Sequence, residues 1–365
     1  MTAGPLEADG GKLARPGGPA GELSHMTTGA NGSHSRLSSV ADILHRTDDA
    51  IRRGIRPGAA VVPTGFGVLD EALEGGFRSG ELVLLGGPQG LGKTTMVMQM
   101  VRNVVRSGGT AVVFSYEHEG HTLLERLLSL EASLVAGYEA ARLPAIRGAF
   151  EKAGPPGYTL DQRLAHLRGV AQGLQTIRLY AGRLHIHEST GSSTDLDEIR
   201  RTVSMLQTDD GAPPLVVVDY LQKVPVPDGP PTEEERVTLV VERLKDLTLD
   251  LGVPVVAIVA ADKASLVPGK RMRVHDLRGS SALAYEADVV LILNDKYDIV
   301  ARHHLVYDIG NAERYRQWVV MTIEKNRHGM DNLELEFRKH FAEGRFDPAG
   351  QYVVEQLVEE RVFTE

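Results

Sequence analysis

The chain of 365 residues contains no cysteine, so disulfides and thiolate metal sites are excluded, in keeping with a reducing compartment. Aromatic residues make up only 5%, while 42% of the chain is hydrophobic, an aliphatic-rich profile of ordinary soluble type. Net positive charge is also missing. At −9 the chain does not offer a broad, non-specific nucleic-acid surface, although a local basic track stays open because binding follows the distribution of charge. No apolar run approaches a membrane span, and the Gly/Ala/Pro-rich start has no apolar signal core. A cytoplasmic protein without a membrane partner is expected.

Residues 1–38 lack periodicity, are dense in Gly, Pro and Ser, and are expected to form a disordered tail. In SSVADILHRTDDAIRRG, Val40, Ile43, Leu44 and Ile51 fall at helical spacing, with Ser38 or Ser39 as N-cap and Gly54 as stop. This helix, within a linker over 39–57, carries an apolar stripe that needs a partner in its own domain or on a neighbouring subunit. From residue 58 to 348, aliphatic strands alternate with helices. LVVVDYL, VPVVAIVAA and ADVVLILN are continuous apolar runs, the mark of a parallel sheet covered on both faces. WVVMTIEKN and LELEF frame a turn and predict an antiparallel hairpin at one edge. Residues 349–365 are expected to trail as a C-terminal tail.

Gly87-Pro88-Gln89-Gly90-Leu91-Gly92-Lys93-Thr94 satisfies G-x-x-x-x-G-K-[ST] and stands between an apolar strand and a helix, the context the motif requires. Gly87, Gly90 and Gly92 let backbone N–H groups wrap phosphate oxygens at a helix N-terminus, with Thr95 in the first helical turn. Lys93 is suited to the β- and γ-phosphates and Thr94 to Mg²⁺, so the implied ligands are ATP and Mg²⁺. Asp219, ending LVVVD, is the candidate acid for the hydrated metal; otherwise it only terminates a strand. Glu117, ending TAVVFSYE, is the candidate for polarising the attacking water. Glu119 is the alternative, and either can instead be a solvated acid at a helix start. Lys325 and Arg327, two apart on an extended backbone, point the same way and at a hairpin tip could reach an adjacent subunit's γ-phosphate. Read blandly, they keep a sheet edge soluble.

The segment DKASLVPGKRMRVHDLRGSS, with Lys263, Lys270, Arg271, Arg273 and Arg278, predicts a flexible basic loop. It has no aromatic residue for stacking, so any nucleic-acid contact would go to phosphate; taken alone, it is a solvated surface loop. His275 has no metal-binding spacing around it and reads as a loop residue.

Together these residues resemble the C-terminal motor domain of the DnaB-type replicative helicases. The likeness runs from about Ser39 to Pro348 through PTGFGVLDEALEGGFRSGELVLLGG, SYE with RLLSLEA downstream, VVVDYLQ, VPVVAIVAADK, HDLRGSSALAYEADVVLIL and EKNRHGMDNLELEF, in the family's order. It implies a RecA-like α/β fold and a hexameric ring with ATP at subunit interfaces, moving along single-stranded DNA. On that basis Lys93 and Thr94 are the P-loop residues, Glu117 the catalytic glutamate, Asp219 the Mg-linked acid, and Lys325 and Arg327 the trans-acting pair. The helix after Ser39 matches the linker helix that docks on the adjacent subunit. Lys270, Arg271, Arg273 and Arg278 become candidates for DNA backbone contact inside the ring.

Three departures stand out. The family's helical collar has no counterpart ahead of Ser39. Ala260 replaces a polar glutamine that senses nucleotide state, and Gly279 replaces the glutamate of an Arg-Glu pair in the DNA-facing loop. A different class of function therefore competes, a RecA/KaiC-like regulatory ATPase acting on a protein partner without unwinding. A DNA-binding scaffold with slow turnover is a third reading. A loader or regulatory protein is an implied partner.

Overall fold

The computed structural model describes residue 1 and residues 37–360, apart from 153, 155, 208–211, 280 and 307–308. The expected tail over 1–38 therefore lies almost wholly outside the described residues. Residues up to Pro57 and from Gly58 onward form two separate units. In the first, helix α1 (Val40–Arg52) starts at Ser39 through a reciprocal capping box with Asp42, and none of its residues is buried.

The second unit runs through β1 (Val61–Val62), α2 (Gly67–Ala72), β2 (Phe77–Arg78), β3 (Leu82–Gly86), α3 (Lys93–Arg106), β4 (Ala111–Ser115) and α4 (Gly120–Ala136). Three helices follow, α5 (Leu143–Glu151), α6 (Leu160–Leu164) and α7 (Val170–Tyr180). Thr159 caps α6 and Gly169, with φ +80°, precedes α7; each resets the chain direction. Then come β5 (Leu184–Glu188), α8 (Leu196–Leu206), β6 (Leu215–Asp219), α9 (Glu233–Leu251), β7 (Val255–Ile258), α10 (Ala282–Glu286) and β8 (Val289–Asp295). Three short helices, α11 (Lys296–Ile299), α12 (His303–Val306) and α13 (Ile309–Tyr315), lead to β9 (Trp318–Asn326), β10 (Leu333–His340), β11 (Arg345–Phe346) and β12 (Gln351–Tyr352).

The main sheet has the order β11-β10-β9-β8-β3-β7-β6-β4-β5, with β12 also on β10. Strands β8, β3, β7, β6, β4 and β5 are mutually parallel, while β9 to β12 add antiparallel pairs at one edge. The fold is the expected one. The uninterrupted apolar strands follow from burial on both faces. Val83 and Leu85 pack with α3, α4 and α7, whereas Leu82 and Leu84 pack with α8 and α9.

Residues 349–360 are not a trailing tail. Gln351 and Tyr352 pair with β10, and isolated bridges join Leu357 to Val300 and Glu360 to Lys270. Fully buried Lys296, held by Glu336 and by Glu355 at 2.7 Å, anchors this return beneath Trp318. A buried ammonium is tolerated there because it is directly paired with carboxylates.

Candidate active site

The site grows from the C-terminal end of β3. Gly87 has φ +150°, and a Cβ there would meet the Leu293 carbonyl at 2.8 Å. Gly92, with φ +83°, closes the loop onto α3, where a Cβ would stand 2.8 Å from the Phe341 ring and 3.0 Å from Phe346. Both glycines are required by space as well as by backbone conformation. Gly92→Ala is thus expected to cost about 1–3 kcal/mol of stability, as for a side chain forced into the left-handed region. It is also expected to abolish nucleotide binding. A thermal melt and a nucleotide titration check both effects.

The loop opens on a cavity of about 590 Å³ lined by Gly90, Gly92, Lys93, Thr94, Thr95, Glu117, Arg126 and Asp219 among others. Lys93 Nζ donates to the Gly87 and Pro88 carbonyls at 2.7 and 3.0 Å. Burial pushes its ammonium below the ordinary lysine range, with the Asp219 and Glu117 carboxylates working the other way. Thr94 Oγ1 donates to Asp219 Oδ2 at 2.8 Å. Asp219 is 3% exposed, and burial raises its pKa above the usual carboxylate value, opposed mainly by the Thr94 hydrogen bond. A carboxylate so poorly solvated is well placed beside a cation. β7 separates β6 from β3, so Asp219 does not end a strand adjoining the P-loop strand. The first turn of α3 leans across β7 to bring Thr94 to it.

Ser115 on β4 is level with Asp219 on β6, so Glu117 stands two residues above the strand ends. It lines the cavity; Glu119, the residue before α4, does not. The geometry thereby separates two acids that the spacing left open.

Arg126 is the residue that reasoning from motifs passed over. It projects from α4 into the cavity, its buried Nε has no hydrogen-bond partner, and burial lowers its pKa, with Arg147 next in effect. An orphaned guanidinium N–H facing a glycine-lined loop calls for an anion. Its signal was present, because Arg126 opens the RLLSLEA run downstream of SYE.

Lys325 and Arg327 do point the same way. Lys325 Nζ donates to the Ala284 and Tyr285 carbonyls at 2.8 and 3.0 Å, and Arg327 Nη2 to the Tyr285 carbonyl at 2.8 Å. Asp288 Oδ1 lies 3.5 Å from Arg327 Nη1. Burial pushes the Lys325 ammonium down, with Arg327 next in effect. Lys325 pairs with Val290 at the start of β8, and Val289 is level with Val83 at the start of β3. The pair therefore sits at the N-terminal edge of the parallel strands, whereas the phosphate loop leaves the C-terminal edge. At 3.3 Å per residue the two are separated by roughly 13 Å or more along the strands.

The described residues of the basic segment 262–281 are tied down. Ala261 bridges Leu277, and the Asp262 N–H donates to the Asp276 carbonyl at 2.9 Å. Lys270 pairs with Asp276 at 2.8 Å. Arg271, expected to face a phosphate backbone, is 3% exposed and bound to Thr322 at 2.8 Å and to Glu334. Arg273 is shared by Glu324 at 2.7 Å and Glu359, and Arg278 is held by Glu233 at 2.8 Å. Sequence proximity showed the cations but not these distant acids. Gly279, with φ +125°, lies where a Cβ would stand 2.6 Å from the Val237 side chain, so a glutamate there would be strained and would have to displace Val237. Ala260 lines the cavity, and its N–H donates to Gln222 Oε1 at 3.2 Å while Gln222 Nε2 donates to the Arg278 carbonyl at 2.7 Å.

Residues 61–154 and 156–346 match the family described as DnaB-like helicase C terminal domain, more than half of the chain. The chain belongs to that family. Among its relatives is the replicative DNA helicase DnaB of Helicobacter pylori strain J99, 26% identical over 263 residues, covering 71% of this chain and 49% of that protein. The replicative DNA helicase DnaB of Rhodothermus marinus is 29% identical over 277 residues, covering 73% and 26%. The chain thus spans about half the length, or less, of these DnaB relatives. Among solved structures, an ATPase domain superposes with a TM-score of 0.65 at 18% identity, covering 85% of this chain and 98% of that one. A DnaB-like replicative helicase, solved in a study of its interactions with primase, gives the same TM-score at 17% identity, covering 84% and 68%. At those identities the structures establish the fold. No described helix is long and apolar enough to cross a membrane.

Proposed function

We propose that this chain is an ATP-driven motor domain that hydrolyses ATP between adjacent copies in a hexameric ring and moves along single-stranded DNA. The observation that carries the reading is the placement of Lys325 and Arg327 at the sheet edge opposite their own phosphate loop. In a ring, that edge meets the next protomer's site. The linker over residues 39–57, with helix α1 and its exposed Val40, Ile43, Leu44 and Ile51, docks on a neighbour and closes the assembly. Residues 58–348 form the motor, working in the cytoplasm.

Within the site, backbone N–H groups from Gly87 to Thr95 and Lys93 hold the triphosphate of ATP. The orphaned Arg126 Nε and the space kept by Gly92 fit such a polyanion. Thr94 and Asp219, the latter through water, are the residues that would hold Mg²⁺, which when bound neutralises phosphate charge. Glu117 orients the attacking water and takes its proton. Arg327 and Lys325 of the neighbour meet the charge that develops on the transferred phosphoryl group. Lys270, Arg273 and Arg278 are the candidates for DNA backbone contact; buried Arg271 supports the loop from within.

Turnover measured with and without single-stranded DNA tests this. Stimulation is expected, and it should fade between about 50 and 200 mM salt as phosphate contacts are screened. A rate indifferent to DNA at every salt concentration would favour the regulatory ATPase reading. The ion pairing of Lys270, Arg271, Arg273 and Arg278 within the chain is the observation on that side.

A further inference from the structure

The family match ends at residue 346, yet the chain continues and returns across the basic segment. The Arg271 N–H donates to the Glu359 carbonyl at 2.7 Å, and the backbones of Lys270 and Glu360 form an isolated bridge, the Lys270 ammonium itself being held by Asp276 at 2.8 Å. The Ala301 N–H donates to the Gln356 carbonyl at 2.9 Å and the Val358 N–H to the Ile299 carbonyl at 2.8 Å. The Glu359 carboxylate accepts from Arg273 Nε at 3.0 Å and also from Nη2, a two-pronged grip, while Glu324 holds Nη1 at 2.7 Å. Glu359 thus presents to Arg273 the paired oxygens that a phosphate presents to a guanidinium.

We propose that the outer edge of Arg273, with Lys270 beside it, forms an anion-binding surface whose present occupant is the chain's own Glu359–Glu360 segment. That segment yields its place to the phosphates of single-stranded nucleic acid. The choice of polymer rests on the motor reading; the surface and its occupant do not. Three features make the segment an exchangeable occupant and not a core element. The Glu359 side chain is 64% exposed, and pairs made by exposed carboxylates are weak. Residues 357–360 are held by isolated bridges, not by a continuous ladder, so they can peel from the end. Arg271, in contrast, is bound to Thr322 and Glu334 and keeps the loop in place when the segment leaves. A polyanion displacing the segment gains counterion release that two carboxylates cannot match.

The test uses the full chain and a fluorescein-labelled oligo(dT), with anisotropy read over a salt series. Glu359→Gln with Glu360→Gln is expected to bind about tenfold tighter at low salt, with a salt slope steeper by about 0.7 for the released Arg273. Adding Arg273→Ala to that pair should remove the gain. Glu71→Gln with Glu151→Gln, a charge-matched control elsewhere, should not produce it. A chain ending at Gln356, which keeps Glu355 on Lys296, should reproduce the gain and covers the case in which the double variant folds poorly. Unchanged affinity, an equal gain in the control, or a gain that survives Arg273→Ala overturns the proposal. Should the double variant bind no tighter while wild-type turnover responds to oligo(dT), the proposal fails and the motor reading stands. Should it bind tighter while turnover ignores oligo(dT), the motor reading fails and the surface stands.

Discussion

Arg327→Ala is expected to lower ATP turnover by about 10³–10⁵-fold, the range for loss of an arginine supplied in trans, while nucleotide affinity changes little. The reason is geometric. Arg327 is 47% exposed at the sheet edge remote from its own phosphate loop, so it contributes nothing to holding the nucleotide bound by its own protomer. On the proposed reading, its loss removes charge stabilisation from the neighbour's transition state. Arg327→Lys should not rescue, because an ammonium lacks the planar fork. Steady-state turnover and titration with a fluorescent nucleotide separate the two quantities. Arg327 also touches Asp288 and the Tyr285 carbonyl, so parallel loss of binding and turnover would mark it as a structural brace.

Glu117→Gln should reduce kcat by about 10²–10⁴-fold, the usual contribution of a positioned general base, and leave binding intact. The amide keeps the shape of the side chain but cannot accept a proton from water. Glu119→Gln should be nearly silent, because that residue lies outside the cavity although it is only two positions away. Single-turnover kinetics decide between them. If Glu119→Gln were the more damaging change, the loop after β4 would have to rearrange on binding nucleotide.

Much of this was legible in the sequence because the relevant signals are local. The phosphate loop is contiguous, the parallel strands are unbroken aliphatic runs, and the shared direction of Lys325 and Arg327 follows from a two-residue repeat. The N-cap was legible as Ser38 or Ser39, and the structure places it at Ser39, where Asp42 completes the box three residues on. What escaped was non-local. Arg271 and Arg273 read as free cations because Glu324, Glu334 and Glu359, which neutralise them, lie 51, 63 and 86 positions away. The fate of residues 349–360 depends in part on the Lys296 ion pairs with Glu336 and Glu355, which no periodicity reveals. Arg126 was hidden for another reason. Arginine on an amphipathic helix is usually a solvated residue, and only the shape of the cavity shows its Nε to be enclosed.

These non-local pairs also bear on two of the three departures from the family. Gly279 is accounted for by the close approach of Val237, which leaves little room for a side chain. At Ala260 no side chain can report on nucleotide, but its backbone N–H is bound by Gln222, which also holds the Arg278 carbonyl. The wall of the nucleotide cavity and the basic loop therefore remain joined through one side chain.

The central claim is that one protomer's cradle is completed by its neighbour's cations. Mixing two inactive proteins tests it most directly, one carrying Lys93→Ala and the other Arg327→Ala. Each lacks a different half of every interface, so subunit exchange creates some interfaces with an intact loop and an intact arginine. Recovery of turnover on mixing is the predicted result. Two proteins that stay inactive together, under conditions where they demonstrably exchange subunits, would contradict it.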